Sequence, residues 1–145
     1  MTFLDAIAFV AVLRREPGAP EVADLLRSRA CATPAPCVAE LVDKLVRRHG
    51  VSPGDLAERL GPLFDESIAV VAVDSQTAWR AGEIRAVHYH RRTAALSLAD
   101  CVLLAAAGPD DEIATSDRAV AVTAQRLGID LAPLLDSKGE RPSVE

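Results

Sequence analysis

The chain has 145 residues, of which 50% are hydrophobic and 26% are charged, and its formal net charge is −5. This length suits one domain with a single core, and this composition excludes wholesale disorder. Because 21 acidic residues outnumber 16 basic ones and aromatic residues make up 3% of the chain, a broad basic nucleic-acid surface and a base-stacking platform are both excluded. A metal-dependent nuclease is still compatible with this charge.

Short apolar runs alternate with helical patterns along the chain. The apolar runs predict strands over residues 2–4, 30–32, 68–73, 112–114 and 129–131. The spacing of apolar residues predicts helices over residues 6–13, 22–26, 38–46, 75–90, 96–107 and 117–127. Glycine and proline predict turns at residues 16–18, 33–34, 52–54, 61–62, 108–110 and 128.

This alternation predicts an α/β fold with a parallel sheet and helices on both faces. We expect one domain over residues 1–132 and a partly flexible C-terminal tail over residues 133–145. The run at 68–73 is apolar throughout, which is typical of a parallel strand covered on both faces. Cys31, Cys37 and Cys101 show no CxxC spacing, so we expect buried, reduced thiols. No apolar run approaches the ~20 residues of a bilayer span and no signal-peptide pattern is present, so we expect a cytoplasmic protein.

Four acidic residues stand where predicted strands meet predicted helices. Asp5 is the only charged residue between residues 1 and 14, and Asp100 is the only one between residues 93 and 110. Glu40 lies in the first turns of the helix that follows residues 33–36, and Asp117 follows the strand at 112–114. In parallel α/β sheets ligands collect beyond the carboxyl ends of the strands, so one crevice would gather all four acids.

Each acid also has a structural interpretation. Asp5 and Asp117 suit the N-cap position of a helix. Asp100 stands three residues after a serine, which is the spacing of a capping box. Glu40 stands four residues before Lys44, the spacing of an ion pair on a helix. The sequence leaves both interpretations open for each residue.

Close packing of such acids predicts a divalent cation. Two carboxylates ~4 Å apart repel by about 4 kcal/mol at an effective dielectric near 20, so a cluster must take up a proton or bind a cation. Oxygen ligands without nearby His or Cys favour Mg²⁺ or Mn²⁺ over Zn²⁺. Such an ion acidifies water for in-line hydrolysis of a phosphodiester, and a second ion would stabilise the leaving oxygen.

The segments around these acids resemble the four acidic motifs of PIN-domain ribonucleases, and among these the VapC toxins of type II toxin–antitoxin pairs. The matching segments are Leu4-Asp5-Ala6, Val38-Ala39-Glu40-Leu41, Leu96-Ser97-Leu98-Ala99-Asp100 and Thr115-Ser116-Asp117-Arg118. They occur in the family's order and at its usual spacing over residues 1–132. The Leu-Ser-Leu-Ala-Asp run is the most specific of the four and the Glu40 segment the least.

The resemblance implies a function and a set of partners. Asp5, Glu40, Asp100 and Asp117 would hold Mg²⁺ or Mn²⁺ for RNA cleavage, and Thr115 would support the site by hydrogen bonding. It also implies a five-stranded parallel sheet, a homodimer, and inhibition by a small antitoxin protein. The chain departs from the family at Ile7, where a Ser or Thr often helps to organise the metal site.

Other functions are less compatible with the sequence. A receiver domain needs paired acids after the first strand, and a haloacid-dehalogenase-type phosphatase needs a second Asp where Ile7 stands. No GxGxxG or GK[ST] motif offers a nucleotide site. The main alternative is a catalytically inactive PIN-like domain that acts as a binding module through protein partners.

Overall fold

The computed structural model describes residues 1–144 as a five-stranded parallel sheet covered by α-helices, which confirms the predicted α/β fold. The strands are β1 (Thr2–Leu4), β2 (Cys31–Pro34), β3 (Ile68–Val71), β4 (Glu112–Thr115) and β5 (Asp130–Pro133). The helices are α1 (Ala6–Arg14), α2 (Ala19–Ser28), α3 (Ala35–Asp43), α4 (Pro53–Glu66), α5 (Ser75–His88), α6 (Leu98–Ala106) and α7 (Arg118–Arg126). A π-helical turn, Lys44–Arg48, follows α3 directly.

The order of the strands determines where the sheet forms a crevice. The order is β3-β2-β1-β4-β5, so β1 lies at the centre with β2 on one side and β4 on the other. Phe3 of β1 pairs in register with Ala32 of β2 and with Ile113 of β4. The chain runs outward from β1 to β3 and then returns to the other side of β1 with β4. The crevice of this fold therefore opens beyond the carboxyl ends of β1 and β4.

The core forms around the central strand and its most apolar helices. Phe9 of α1, Leu41 of α3 and Leu103 and Leu104 of α6 are among its large, almost fully buried side chains. Complete burial of one such side chain stabilises the fold by about 1.5–3 kcal/mol. Because α1 and α6 are apolar on most of their surface, they pack as interior helices and bring their N-termini to the crevice.

The prediction that residues 68–73 form a strand covered on both faces is wrong. The strand β3 ends at Val71 and lies at the edge of the sheet, where it pairs with β2. Ala69 and Val70 are exposed, Val70 to 46%. An uninterrupted apolar run shows that a segment suits a strand, but it does not show where in the sheet that strand lies.

Helix α4 was not predicted, and the predicted turn at Gly61 and Pro62 is wrong because both residues lie inside this helix. Its N-terminus has the expected signals: the Ser52 hydroxyl accepts a 3.1 Å hydrogen bond from the Asp55 amide, and a proline occupies the first turn. Leu56 and Leu60 are buried in the core. This packing outweighs the loss of one backbone hydrogen bond at Pro62.

The three cysteines are buried and free of disulfides within residues 1–144, which confirms that prediction. No helix in this part of the chain combines the length and hydropathy that a membrane crossing requires. The proposed tail, 133–145, starts at the last residue of β5, and Arg141 donates hydrogen bonds to the Pro133 carbonyl and to Glu21. The flexibility of the tail stays a prediction, and Glu145 lies outside the described residues.

Candidate metal centre

Asp5 follows β1 directly and is 3% exposed. It occupies the N-cap position of α1 with an extended backbone, but its side chain accepts no capping hydrogen bond from the described helix. Instead its Oδ2 accepts a 2.7 Å hydrogen bond from Thr115 Oγ1, at the end of the neighbouring strand β4. Asp5 is therefore the N-cap of α1 by position, but its side chain does not cap the helix.

Thr115 connects the two acids that lie at the ends of β1 and β4. It is completely buried, and its hydroxyl accepts a 2.9 Å hydrogen bond from the Asp117 amide while donating to Asp5. One hydroxyl thus satisfies a backbone donor and a buried carboxylate at once. The resemblance implied a supporting contact of this kind for Thr115.

Asp100 forms the predicted capping box and also lies close to two other acids. The Ser97 hydroxyl accepts from the Asp100 amide at 3.0 Å, and Asp100 Oδ2 accepts from the Ser97 amide at 2.7 Å. This reciprocal pair is the predicted capping box of α6. The box orients the carboxylate of Asp100, one oxygen of which lies within 4.8 Å of carboxylate oxygens of Asp5 and Glu40.

Glu40 projects from α3, and its two carboxylate oxygens have different surroundings. Oε1 lies 3.7 Å from Lys44 Nζ, which confirms the predicted ion pair. Oε2 is buried and has no hydrogen-bond partner among residues 1–144. A buried carboxylate oxygen without a partner is costly in a protein, so Glu40 Oε2 is suited to accept a cation or a donor.

Three of the four predicted acids converge. Asp5, Glu40 and Asp100 each offer a carboxylate oxygen within 4.8 Å of the other two. Asp117 is outside this group, and its Oδ1 instead accepts from the amides of Ala119 and Val120 as the N-cap of α7. The N-cap interpretation of Asp117 is confirmed. Its charge still acts on the cluster, because it raises the pKa of both Asp5 and Asp100.

Burial and neighbouring negative charges disfavour the ionised forms of Asp5 and Asp100. Burial, reinforced by the charge of Asp100, raises the pKa of Asp5 to about 7, although the hydrogen bond from Thr115 opposes this shift. Burial also raises the pKa of Asp100 to about 6, with a further rise from Glu40 and an opposing effect of the Ser97 amide. Near pH 7 the acids therefore compete with one another for protons, and a bound cation would relieve their repulsion.

Two residues near the cluster were missed by the sequence analysis. Thr33, at the end of β2, is fully buried and donates a 2.9 Å hydrogen bond to the carbonyl of Leu4, the residue before Asp5. Cys37 lies one turn before Glu40, and burial together with the charge of Asp5 raises the pKa of its thiol far above the usual range. A thiol that stays protonated is a poor metal ligand. The sequence analysis placed Thr33 in a turn after the strand at 30–32, whereas the structure extends β2 to Pro34, so that prediction of a turn at 33–34 is wrong.

The donor set fits a hard divalent cation. It consists of one carboxylate oxygen each from Asp5, Glu40 and Asp100, and Glu40 in addition has a buried oxygen, Oε2, without a partner among residues 1–144. Oxygen donors of this kind suit Mg²⁺ or Mn²⁺. Asp5 and Asp100 are held in place by hydrogen bonds from Thr115 and Ser97, so little reorganisation is needed for binding.

Solved structures with the same fold come from several bacteria. FitAcB from Neisseria gonorrhoeae is 21% identical with a TM-score of 0.60, over 90% of this chain and 96% of that one. DNA-bound VapBC from Salmonella typhimurium gives the same values. VapC20 from Mycobacterium tuberculosis, a sarcin–ricin loop cleaving toxin, is 18% identical with a TM-score of 0.58, over 89% of this chain and 85% of that one.

The sequence itself matches no curated protein significantly. The family model of the PIN domain, however, matches residues 2–143. This match covers all five strands and each acid of the cluster. The chain therefore belongs to the PIN-domain family.

Proposed function

We propose that the chain is a ribonuclease that depends on Mg²⁺ or Mn²⁺ and acts as the toxin of a toxin–antitoxin pair. Asp5, Glu40 and Asp100 would hold the cation. The observation that carries the proposal is the convergence of three carboxylate oxygens within 4.8 Å, with Glu40 Oε2 buried and partnerless. No protein donor among residues 1–144 occupies that oxygen, so it is available to a cation.

The residues around the cluster have distinct tasks in this proposal. Thr115 and Ser97 orient the carboxylates of Asp5 and Asp100 through hydrogen bonds of 2.7 Å. When bound, a divalent cation would lower the pKa of water and stabilise charge on a phosphodiester.

Asp117 would act from a different place than the other three acids. Its Oδ1 caps α7, so its contribution would come from its charge and its second oxygen. Its effect on the pKa of Asp5 and Asp100 shows that this charge reaches the cluster. We propose that Asp117 completes the acidic site at the edge where substrate enters, as the fourth acidic motif.

The proposed partners follow from the relatives that share the fold. A similar structure is a toxin–antitoxin complex from Klebsiella pneumoniae, which is 16% identical with a TM-score of 0.56 over 81% of this chain and 87% of that one. VapBC from Salmonella typhimurium is bound to DNA. By analogy this chain would bind a cognate antitoxin, form a homodimer and act in the cytoplasm on RNA. Exposed apolar side chains at Trp79, Val87 and Leu98 are consistent with a surface that a protein partner covers.

Cleavage of RNA tests the proposal. The purified protein, incubated with single-stranded and structured RNAs, should cut them with Mg²⁺ or Mn²⁺ and stop in EDTA. Asp5→Asn should abolish cutting, whereas Asp65→Asn, which changes an exposed acid of α4, should cut like the wild type. Folded protein that cuts none of these RNAs with either metal would favour the binding-module alternative.

A further inference from the structure

Lys44 borders the acidic cluster at the point where α3 becomes a π-helical turn. Its amide donates to the carbonyls of Glu40 and Leu41, and its side chain is 30% exposed. The positive charge of Lys44 also lowers the pKa of Asp5, so Lys44 acts on an acid outside α3 and the π-helical turn. Single π-helical turns occur often at functional sites because they change the direction of side chains locally.

Lys44 pairs with one of the two carboxylate oxygens of Glu40 and leaves the other unpaired. Nζ lies 3.7 Å from Oε1, while the partnerless Oε2 belongs to the buried side of the group. An ammonium group is a compact point charge and can pair with one oxygen of a carboxylate. The pair therefore neutralises part of the charge of Glu40 and leaves its second oxygen open.

The neighbouring ion pair on the same helix shows what an arginine does at this spacing. Arg47 stands four residues after Asp43, just as Lys44 stands four residues after Glu40. Arg47 donates to both oxygens of Asp43, from Nε at 2.9 Å and from a terminal nitrogen at 2.8 Å. A guanidinium thus occupies the whole carboxylate, which an ammonium does not.

Lysine is rare in this chain. Lys44 and Lys138 are lysines, and the other basic residues among the 16 Lys and Arg are arginines. The second lysine, Lys138, lies in the tail, where its amide donates to Asp136. The residue that contacts the cluster is therefore one of the two lysines, and a lysine, unlike the arginines, cannot form a bidentate pair with a carboxylate.

We propose that Lys44 is a positioning residue of the metal centre: it holds Glu40 by Oε1, keeps Oε2 free for a divalent cation, and limits the affinity for that cation. This inference depends on the proposed metal site. If Lys44 has this role, its replacement by an uncharged residue and by arginine should change the affinity for the cation in opposite directions. Removal of the ammonium takes away a competing positive charge, whereas an arginine would occupy both oxygens of Glu40.

Titration calorimetry with MnCl₂ measures these effects without RNA. Lys44→Met should bind Mn²⁺ about tenfold more tightly, since repulsion between a single and a double charge a few ångströms apart changes a binding constant by that order even in water. Lys44→Arg should bind Mn²⁺ at least severalfold more weakly. Lys138→Met is the matched control and should bind like the wild type. Circular dichroism verifies the fold of each variant, and Lys44→Gln replaces Lys44→Met if the latter does not fold.

The outcomes separate this proposal from the proposed function. Wild-type affinity in both Lys44 variants, weaker binding by Lys44→Met, or tighter binding by Lys44→Arg would overturn the role of Lys44 while leaving the metal site intact. Absence of Mn²⁺ binding by the wild-type protein would overturn both proposals.

Discussion

Thr115 Oγ1 donates a 2.7 Å hydrogen bond to Asp5 Oδ2 across 110 residues of sequence. The two residues meet because β1 and β4 are neighbours in the sheet and end at the same edge. This bond orients a carboxylate whose burial disfavours the charged form and raises its pKa. It therefore connects the topology of the sheet with the chemistry of the candidate metal centre.

Loss of the Thr115 hydroxyl should destabilise the protein and change its dependence on pH. In Thr115→Val the shape is preserved but a buried donor is lost, so the free energy of unfolding should fall by about 1–3 kcal/mol. Because this hydrogen bond lowers the pKa of Asp5, the loss of stability should be larger at pH 8 than at pH 5. Urea unfolding at both pH values measures it. Thr115→Ser keeps the donor and serves as the control, and equal losses at both pH values would contradict the account.

The metal-free protein should lose stability as the pH rises from about 4 to 7. The folded-state pKa of Asp5 is about 7 and that of Asp100 about 6, both above the usual 3.8. Between pH 3.8 and pH 7 the two carboxyl groups keep protons in the native state that they have released in the unfolded chain. The free energy of unfolding therefore decreases as the pH rises. Full deprotonation of Asp5 costs on the order of 4 kcal/mol. Thermal unfolding in EDTA from pH 4 to 8 measures this slope, and stability that increases over the range would refute the electrostatic analysis.

Neutralising Asp5 should stabilise the metal-free protein near pH 8. Asp5→Asn removes a buried charge, and its amide oxygen can still accept from Thr115. The melting temperature in EDTA should rise by several degrees, since ~1 kcal/mol corresponds to roughly 2–8 °C in a domain of this size. Asp65→Asn, an exposed acid of α4, should leave it unchanged. A lower melting temperature of Asp5→Asn than of the wild type would show that the charge of Asp5 stabilises the fold.

Divalent cations should stabilise the wild-type protein and not the variant that lacks a ligand. A ligand that binds the native state alone raises the free energy of unfolding by about 2.7 kcal/mol at one hundred times its Kd. Differential scanning fluorimetry with MnCl₂ or MgCl₂ should therefore show a rise for the wild type that EDTA reverses. Glu40→Gln should reduce it strongly, whereas Glu58→Gln, on the exposed surface of α4, should retain it. Equal stabilisation of both variants would place the cation elsewhere.

The sequence predicted the elements that have clear local signals. Residues 2–4 form β1 as expected, and the apolar segment that follows Asp5 forms the buried helix α1. The Ser97–Asp100 spacing predicted a capping box that the structure contains. Helix α4 was missed because Gly61 and Pro62 are turn residues in isolation, and tertiary packing of Leu56 and Leu60 overrides that preference.

Distances between distant residues were not available from the sequence. Asp5 follows β1 and Glu40 lies in the helix after β2, but the prediction that Asp100 also stands where a strand meets a helix is wrong, because α6 follows helix α5. The fold brings these three acids together, whereas Asp117 caps α7 through local contacts. The buried, partnerless state of Glu40 Oε2 likewise depends on the packing of α3 beside α1 and α6. Local patterns identify candidate ligands, and the topology selects among them.

Anomalous diffraction from a crystal soaked in MnCl₂ would locate the cation that we propose. We expect a manganese peak within coordination distance of Asp5, Glu40 and Asp100, with Glu40 Oε2 among its ligands. The same soak of Asp5→Asn should give a much weaker peak. A wild-type crystal without manganese at this cluster, or with manganese instead at Asp111 and Glu112 by the amino end of β4, would contradict this prediction.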